Sequence, residues 1–283
     1  MNCNIIGAGR LGKNLGLSLS AAHIISSVSV CNRKIKSANT ACQLMGYGHA
    51  VDEIERLPEA DITWICCNDD YIPDIVEILA HRFLVKPGSF VVHSSGVLNS
   101  SLLAPLKDQG CSVASFHPLK AFKMGYLSPS AFEQVDCVME GDEEVSAWLK
   151  ESFTKLGAHV TTIQPEAKAI YHAAACIASN YLITLASCSE ELLLKAGLEQ
   201  QQSRRMLLNL MQGNLSNLQQ TECIAESLTG PLMRGDIKTL STHLYSIENQ
   251  EIQNLYRAAG LATLPLTLLA EEKKEQIKNL FKL

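Results

Sequence analysis

Several groups of residues have types and spacings suited to chemistry. Gly7-Ala8-Gly9-Arg10-Leu11-Gly12 reads Gly-x-Gly-x-x-Gly. In that pattern the first glycine permits a tight turn and the second lets backbone approach a pyrophosphate. The third lets a helix pack close to its strand, and the helix start presents free N–H groups to the anion. The next apolar run, Val28-Ser29-Val30, is followed by Cys31-Asn32-Arg33-Lys34. A site selective for NAD carries Asp or Glu about 20 residues past the glycines, to hold a ribose 2′-hydroxyl. No carboxylate stands at 31–34, whereas Asn32 and the Arg33-Lys34 cations suit a 2′-phosphate. The pattern points to NADP.

Further polar groups follow later apolar runs. Asn68 comes after Trp64 to Cys67, Ser94 and Ser95 come after Phe90 to Val92, and His117 comes after Val113 to Phe116. In an open α/β sheet, ligands bind beyond the carboxyl ends of the strands, so these residues fall where cofactor and substrate would lie. Their plainer reading is as caps and turns, with Asp70 and Ser95 or Asn99 opening helices. Lys168 and His172 stand one helical turn apart, and Ser179 shares their face with Asn180 toward its edge. Such a Lys–His pair can stabilise or protonate a developing anion on a carbonyl or imine. A solvated lysine and a core histidine would show the same spacing. Thr229 and Arg234 form another polar island, suited to a substrate anion. There Asp236 alternatively caps a helix from Ile237.

Two kinds of segment must position these residues. Through residue 164, strand-length runs at Asn4–Ile6, Val28–Val30, Ile62–Cys67, Ser89–Val92, Cys111–Phe116, Val135–Met139 and His159–Ile163 alternate with helical stretches. Leu11–Ala22, Ile72–His81 and Glu143–Lys155 are examples of those helices. Alternation of this kind predicts βαβ units and a mostly parallel sheet with helices on both faces. From Pro165 onward the periodicity is helical, giving domains at 1–164 and 165–283. Glu271–Leu283 reads as a solvated helix.

The chain has 283 residues, is 47% hydrophobic and 19% charged, and carries a formal charge of −5. This is globular composition without the basic field of a nucleic-acid binder. No apolar run approaches the roughly 18 residues that would call for a membrane span, and the N-terminus lacks the features of a signal peptide. None of the ten cysteines has metal-site spacing, so no metal is expected. They read as packing atoms in a reducing cytoplasm. A thiolate at Cys66 or Cys67 lacks a base partner nearby in sequence.

The combination resembles an uncharacterised bacterial family of NADP-binding, Rossmann-like oxidoreductases with a helical domain of unknown function. The residues that carry the likeness are the Gly7–Gly12 loop, His93-Ser94-Ser95-Gly96 and Phe116-His117-Pro118-Leu119. Tyr171-His172 with Ser179-Asn180 and Thr229-Gly230-Pro231 with Arg234-Gly235-Asp236 complete it. More remotely, the layout is similar to pyrroline-5-carboxylate reductases, ketopantoate reductases and 6-phosphogluconate-type β-hydroxyacid dehydrogenases. These likenesses imply a 6-phosphogluconate-dehydrogenase-like helical second domain, a homodimer formed through it, and a substrate cleft between domains. The β-hydroxyacid dehydrogenases pair a catalytic Lys with Asn where this chain has Lys168 and His172. The leading expectation is an NADPH-dependent reductase of a small carbonyl or imine compound, with Lys168, His172 and His117 at the chemistry. The alternative is a non-catalytic NADP-binding sensor or partner protein.

Overall fold

The computed structural model describes Met1–Lys282. Eight strands form one sheet: β1 (Asn2–Ile6), β2 (Ser27–Cys31), β3 (His49–Val51), β4 (Ile62–Ile65), β5 (Phe90–His93), β6 (Ser112–Pro118), β7 (Asp136–Gly141) and β8 (His159–Thr162). Their spatial order is β3-β2-β1-β4-β5-β6-β7-β8. All pairs are parallel except β6 with β7. β3 carries no strand signal of its own, being short and bracketed by glycine and acidic residues. The connecting helices are α1 (Arg10–Ala21), α2 (Ile35–Met45), α3 (Ile72–His81), α4 (Ala104–Lys107) and α5 (Glu143–Lys155). Every residue of β4 and β5 is buried, as expected for strands covered on both faces.

The core on one face is aromatic. Trp64 meets Phe116 and Phe153 edge-on at centroid distances of 5.8 and 6.0 Å, and Phe132 meets Phe153 at 5.1 Å. The segment between β6 and β7 straps back over α1. Buried Asn14 donates to the carbonyls of Arg10 and Tyr126 and accepts from Ser128 N–H. The helix that carries the glycine loop is thereby tied to the segment that leaves His117.

The remaining helices are α6 (Lys168–Lys195), α7 (Gln200–Gln220), α8 (Pro231–Arg234), α9 (Ile237–Ser246), α10 (Gln250–Thr263) and α11 (Glu271–Lys282). The chain separates into compact units after Ser179, rather than at 164/165. The difference has a physical cause: Lys168, at the start of α6, is buried in the first unit. α6 bears on the membrane reading. With the turn before it, the helix is long and apolar enough by length and composition to cross a bilayer. Polar residues such as His172, Ser179-Asn180 and Ser189-Glu190-Glu191 interrupt it, so a search for unbroken apolar runs passes over it.

The second unit has its own core of Leu240, Leu244, Leu264, Ile277 and Phe281. α11 is therefore not simply solvated: Ile277 and Phe281 are buried, while its charges point outward. The Phe281 ring lies against Gly260 so closely that a Cβ there would overlap it. Gly260→Ala should destabilise this unit by about 1–3 kcal/mol through overpacking, against a helix-propensity gain of up to about 1 kcal/mol. A urea midpoint equal to or above wild type would contradict this packing.

Candidate functional site

The strand order reverses between β1 and β4, and a crevice of about 960 Å³ opens at their carboxyl ends. Gly7, Gly9, Asn32, Arg33 and Asn68 all line it. Gly7 has φ +92°, and a Cβ there would come within 2.7 Å of Cys67 N, so both conformation and the crossing of β4 require glycine. Gly12 packs against the Gly7 carbonyl and Ile5, where a Cβ would sit at 2.9 and 3.2 Å. At Gly9 a Cβ would meet no protein atom closer than 4.0 Å. The protein leaves that space open, which fits a close-lying anion. Gly9 also opens α1 without a side-chain cap, and the first turn holds no acidic residue to compete for its N–H groups. Arg10 and Leu11 start α1 without lining the crevice, as does Gly12.

Asn32 has a structural duty as well. Its Oδ1 accepts the Ala8 N–H at 2.7 Å and so holds the glycine loop to the end of β2. Beyond it, Lys34, Lys36, Ser37 and Thr40 join Arg33 along the wall. Asp52, Glu53 and Glu55 line the wall too. Arg56 pairs with Asp52 at 2.7 Å and Glu53 at 3.3 Å. The sequence reading missed these carboxylates because they follow β3, the strand without a signal.

Cys66 and Cys67 also line the crevice. Burial pushes Cys66 up to about 12, against a smaller opposing effect from the Ser94 hydroxyl. Burial likewise pushes Cys67 up to about 11. Both are protonated at neutral pH, which removes the thiolate reading. All ten cysteines are free.

Ser94 and Ser95 part company. Ser94 Oγ lies 3.4 Å from Cys66 Sγ, beside the crevice. Ser95 is buried, and its hydroxyl donates to Asp69 Oδ2 at 2.8 Å. Ser95 Oγ also accepts from Val97 N and Leu98 N at 3.2 and 2.9 Å. Its hydroxyl is thus spent on holding the loop, not turned to a cofactor. Asn99 caps the following turn through Ser101 N–H, while Asp70 makes no such cap.

Lys168 is fully buried. Its Nζ donates to the Ser95 carbonyl at 2.8 Å and to Ser115 Oγ at 2.7 Å. Burial lowers it to about 8, opposed by the charges of Glu140 and Asp69. Buried Glu140 in turn accepts from Ser100 N–H and Oγ at 2.8 and 2.6 Å. Lys168 thus ties α6 to the loop after β5 and to β6.

One and two turns along that face, the helix delivers its other functional groups. His117, inside β6 rather than beyond it, and His172 stand edge to face with centroids 5.5 Å apart. They converge on Gly96, where a Cβ would overlap His172 Nδ1 and lie 3.1 Å from His117 Nε2. Tyr171 Oη is 2.9 Å from His117 Nδ1. His172 Nε2 lies 3.6 Å from Cys176 Sγ, and its Nδ1 is buried without a partner. Gly96 and Tyr171 escaped the sequence reading of the site, although both belong to the motifs that carried the resemblance. Ser179 is exposed two turns beyond His172. Asn180, Thr229 and Arg234 lie in the second unit, all exposed, and there Asp236 caps α9 through Thr239 N–H at 3.1 Å.

The fold and crevice define a Rossmann-type dinucleotide-binding architecture followed by helices. Residues 1–118 match the Rossmann-like domain, and residues 135–263 match a domain of unknown function, DUF2520. The chain thus joins the two modules that the resemblance implied. Among solved structures it is similar to BF3122 of Bacteroides fragilis, provisionally named an NADP oxidoreductase. That match has 20% identity over 93% of this chain and 98% of the other, with TM-score 0.78. It is similar to TM1727 of Thermotoga maritima at 25% identity over 97% and 98%, with TM-score 0.69. It is also similar to the NADP-bound pyrroline carboxylate reductase of Plasmodium falciparum at 14% identity over 99% and 98%, with TM-score 0.60. No curated protein matches the chain in sequence.

The buried imidazoles give this site a pH signature. Burial lowers His93 from 6.5 to about 4, and burial together with the Lys168 and His172 charges does the same to His117. Between pH 6.5 and 4 the unfolded chain binds protons that the native chain refuses, so stability falls as pH drops through that window. The expected loss is of order 1–3 kcal/mol per imidazole at the low end. Urea unfolding at pH 7 and pH 5 checks this, and unchanged stability across that interval would contradict neutral burial.

Proposed function

We propose that this protein is an NADPH-dependent oxidoreductase that reduces a small carbonyl or imine compound. The observation that carries the reading is the convergence of His117 and His172 on Gly96, two residues past Ser94, whose hydroxyl lies 3.4 Å from the thiol of crevice-lining Cys66. A bound nicotinamide dinucleotide would supply the hydride. Gly7, Gly9 and Asn68 would hold it along the crevice, with Gly9 leaving room for its pyrophosphate. Arg33, with Lys34, Lys36 and Ser37 on the same wall, favours the 2′-phosphorylated form. His117 and His172 supply N–H groups to polarise the acceptor and deliver its proton. Lys168 acts one layer back, because both contacts of its ammonium are to protein groups. The link from crevice-lining Cys66 through Ser94 to the loop at Gly96, where the two imidazoles meet, favours turnover over a sensor role.

In an NADPH oxidation assay across small keto acids and cyclic imines, His172→Ala should lower kcat by about 10²–10⁴-fold. Binding of NADPH by calorimetry should stay within a few-fold of wild type. Arg33→Ala should weaken NADPH binding at least tenfold and leave NADH binding nearly unchanged. Equal losses for both cofactors would refute the 2′-phosphate assignment. Wild-type turnover of none of these compounds would turn the reading toward the sensor.

We also infer a homodimer through the helical segment. α7 exposes Leu208 and Leu215 on one side and Met206 and Leu210 on another, with Leu210 69% exposed. A helix this apolar on both sides is normally covered. Analytical ultracentrifugation should give a dimer that Leu208→Glu with Leu210→Glu converts to monomer. A monomeric wild type would exclude this.

A further inference from the structure

Tyr171 has no part in the proton transfer just described, yet its hydroxyl is the partner of His117 Nδ1 at 2.9 Å. A neutral imidazole carries one proton, on whichever nitrogen is not already accepting a hydrogen bond. His117 is neutral at pH 7, since burial first, and the Lys168 and His172 charges after it, press it down to about 4. Burial pushes the Tyr171 phenol well above its ordinary range, helped by Cys137 and Asp136. Tyr171 therefore keeps its O–H, and His117 Nδ1 stands where that O–H can be given. The His117 proton then belongs on Nε2. That nitrogen is the one beside Gly96, on the side where His172 Nδ1 lies buried without a partner.

We propose that Tyr171 is a positioning residue whose hydroxyl holds His117 in the Nε2–H form, with that N–H aimed at Gly96. The structure supports this arrangement from both ends. Gly96 has no side chain to separate the two rings. Tyr171 itself is held by its place on α6, one turn after Lys168, whose Nζ lies 6.0 Å from the Tyr171 ring. The alternative arrangement reverses the bond, with His117 Nδ1–H donating to the phenol oxygen. It would leave a bare lone pair on His117 Nε2 beside Gly96, with no His117 proton for an acceptor there. The catalytic part of this proposal rests on the reductase reading, whereas the tautomer does not.

Long-range nitrogen–proton spectra of the full ¹⁵N-labelled chain at pH 7 report the tautomer directly, with His117→Gln assigning the signals. Wild type should show His117 with bare Nδ1 and protonated Nε2. Tyr171→Phe, which keeps the ring and its packing, should move the His117 signals toward a mixture of the two forms. Protonated Nδ1 in wild type, or identical His117 signals in Tyr171→Phe, would overturn the proposal. In the NADPH oxidation assay Tyr171→Phe should lower kcat by about 10–100-fold with KM for NADPH within about twofold. A changed tautomer with unchanged kcat would leave Tyr171 setting the His117 tautomer but would overturn its catalytic part. If wild type turns over no compound while the tautomer result holds, it is the reductase reading that fails.

Discussion

The buried ammonium of Lys168 is the constraint on which the rest of the site depends. Taking an ammonium out of water is costly, and the cost is met only where its protons find fixed acceptors. Here those acceptors are the Ser95 carbonyl and Ser115 Oγ, from the loop after β5 and from β6. Asp69 and Glu140 balance the charge without touching the ammonium, and each is bonded to the same loop, at Ser95 and Ser100. The ammonium thus fixes the start of α6 against two strand ends. Helical spacing then sets Tyr171 and His172 on the same side as Lys168, toward Gly96 and His117. Moving the helix by one residue would unpair a buried charge and separate the imidazoles together.

The crevice obeys a different logic. It is made of backbone and space, not of charge. Gly7 lets β1 turn against β4, Asn32 ties that turn to β2, and Gly9 is left uncovered. Charge enters only along the wall beyond β2, where Arg33, Lys34 and Lys36 share the surface with Asp52, Glu53 and Glu55. Arg56 occupies two of those carboxylates, which tilts the wall toward the cations. A preference for a 2′-phosphate therefore rests on local balance within a chain of net charge −5.

Much of this was legible because it is local. The glycine loop, the alternation of strands and helices, and the bounds of α3 and α5 follow from turn residues and periodicity over a few residues. Asp236 capping α9 is equally local. What was hidden depends on contacts between residues distant in sequence. Ser95 and Lys168 are 73 positions apart, and only the fold shows that each consumes the other's polar group. Spacing along α6 placed Lys168 and His172 on one face, but could not tell that the first is sealed and the second half-open. Tyr171 was missed because its partner comes from β6. The buried face of α11 was hidden for a related reason: Ile277 and Phe281 are diluted among charges, and only Gly260 on another helix explains them.

The electrostatics of the site narrow how a proton can move through it. The Lys168 cation lies near two imidazoles, and burial already disfavours charge on both His93 and His117. A second full positive charge beside His117 would meet the same penalty that lowers His117 to about 4. His117 can therefore offer only a neutral N–H donor, whose strength depends on direction more than on charge. Direction is what the surrounding contacts supply: the Ser95 N–H fixes one face of His93, the Tyr171 hydroxyl meets one nitrogen of His117, and Gly96 removes the obstacle at the other. The His172 ring fits this scheme. Imidazole offers a donor and an acceptor on opposite edges of one ring, whereas a carboxamide presents both at one end. A ring can therefore meet Cys176 with one nitrogen and Gly96 with the other, as His172 does.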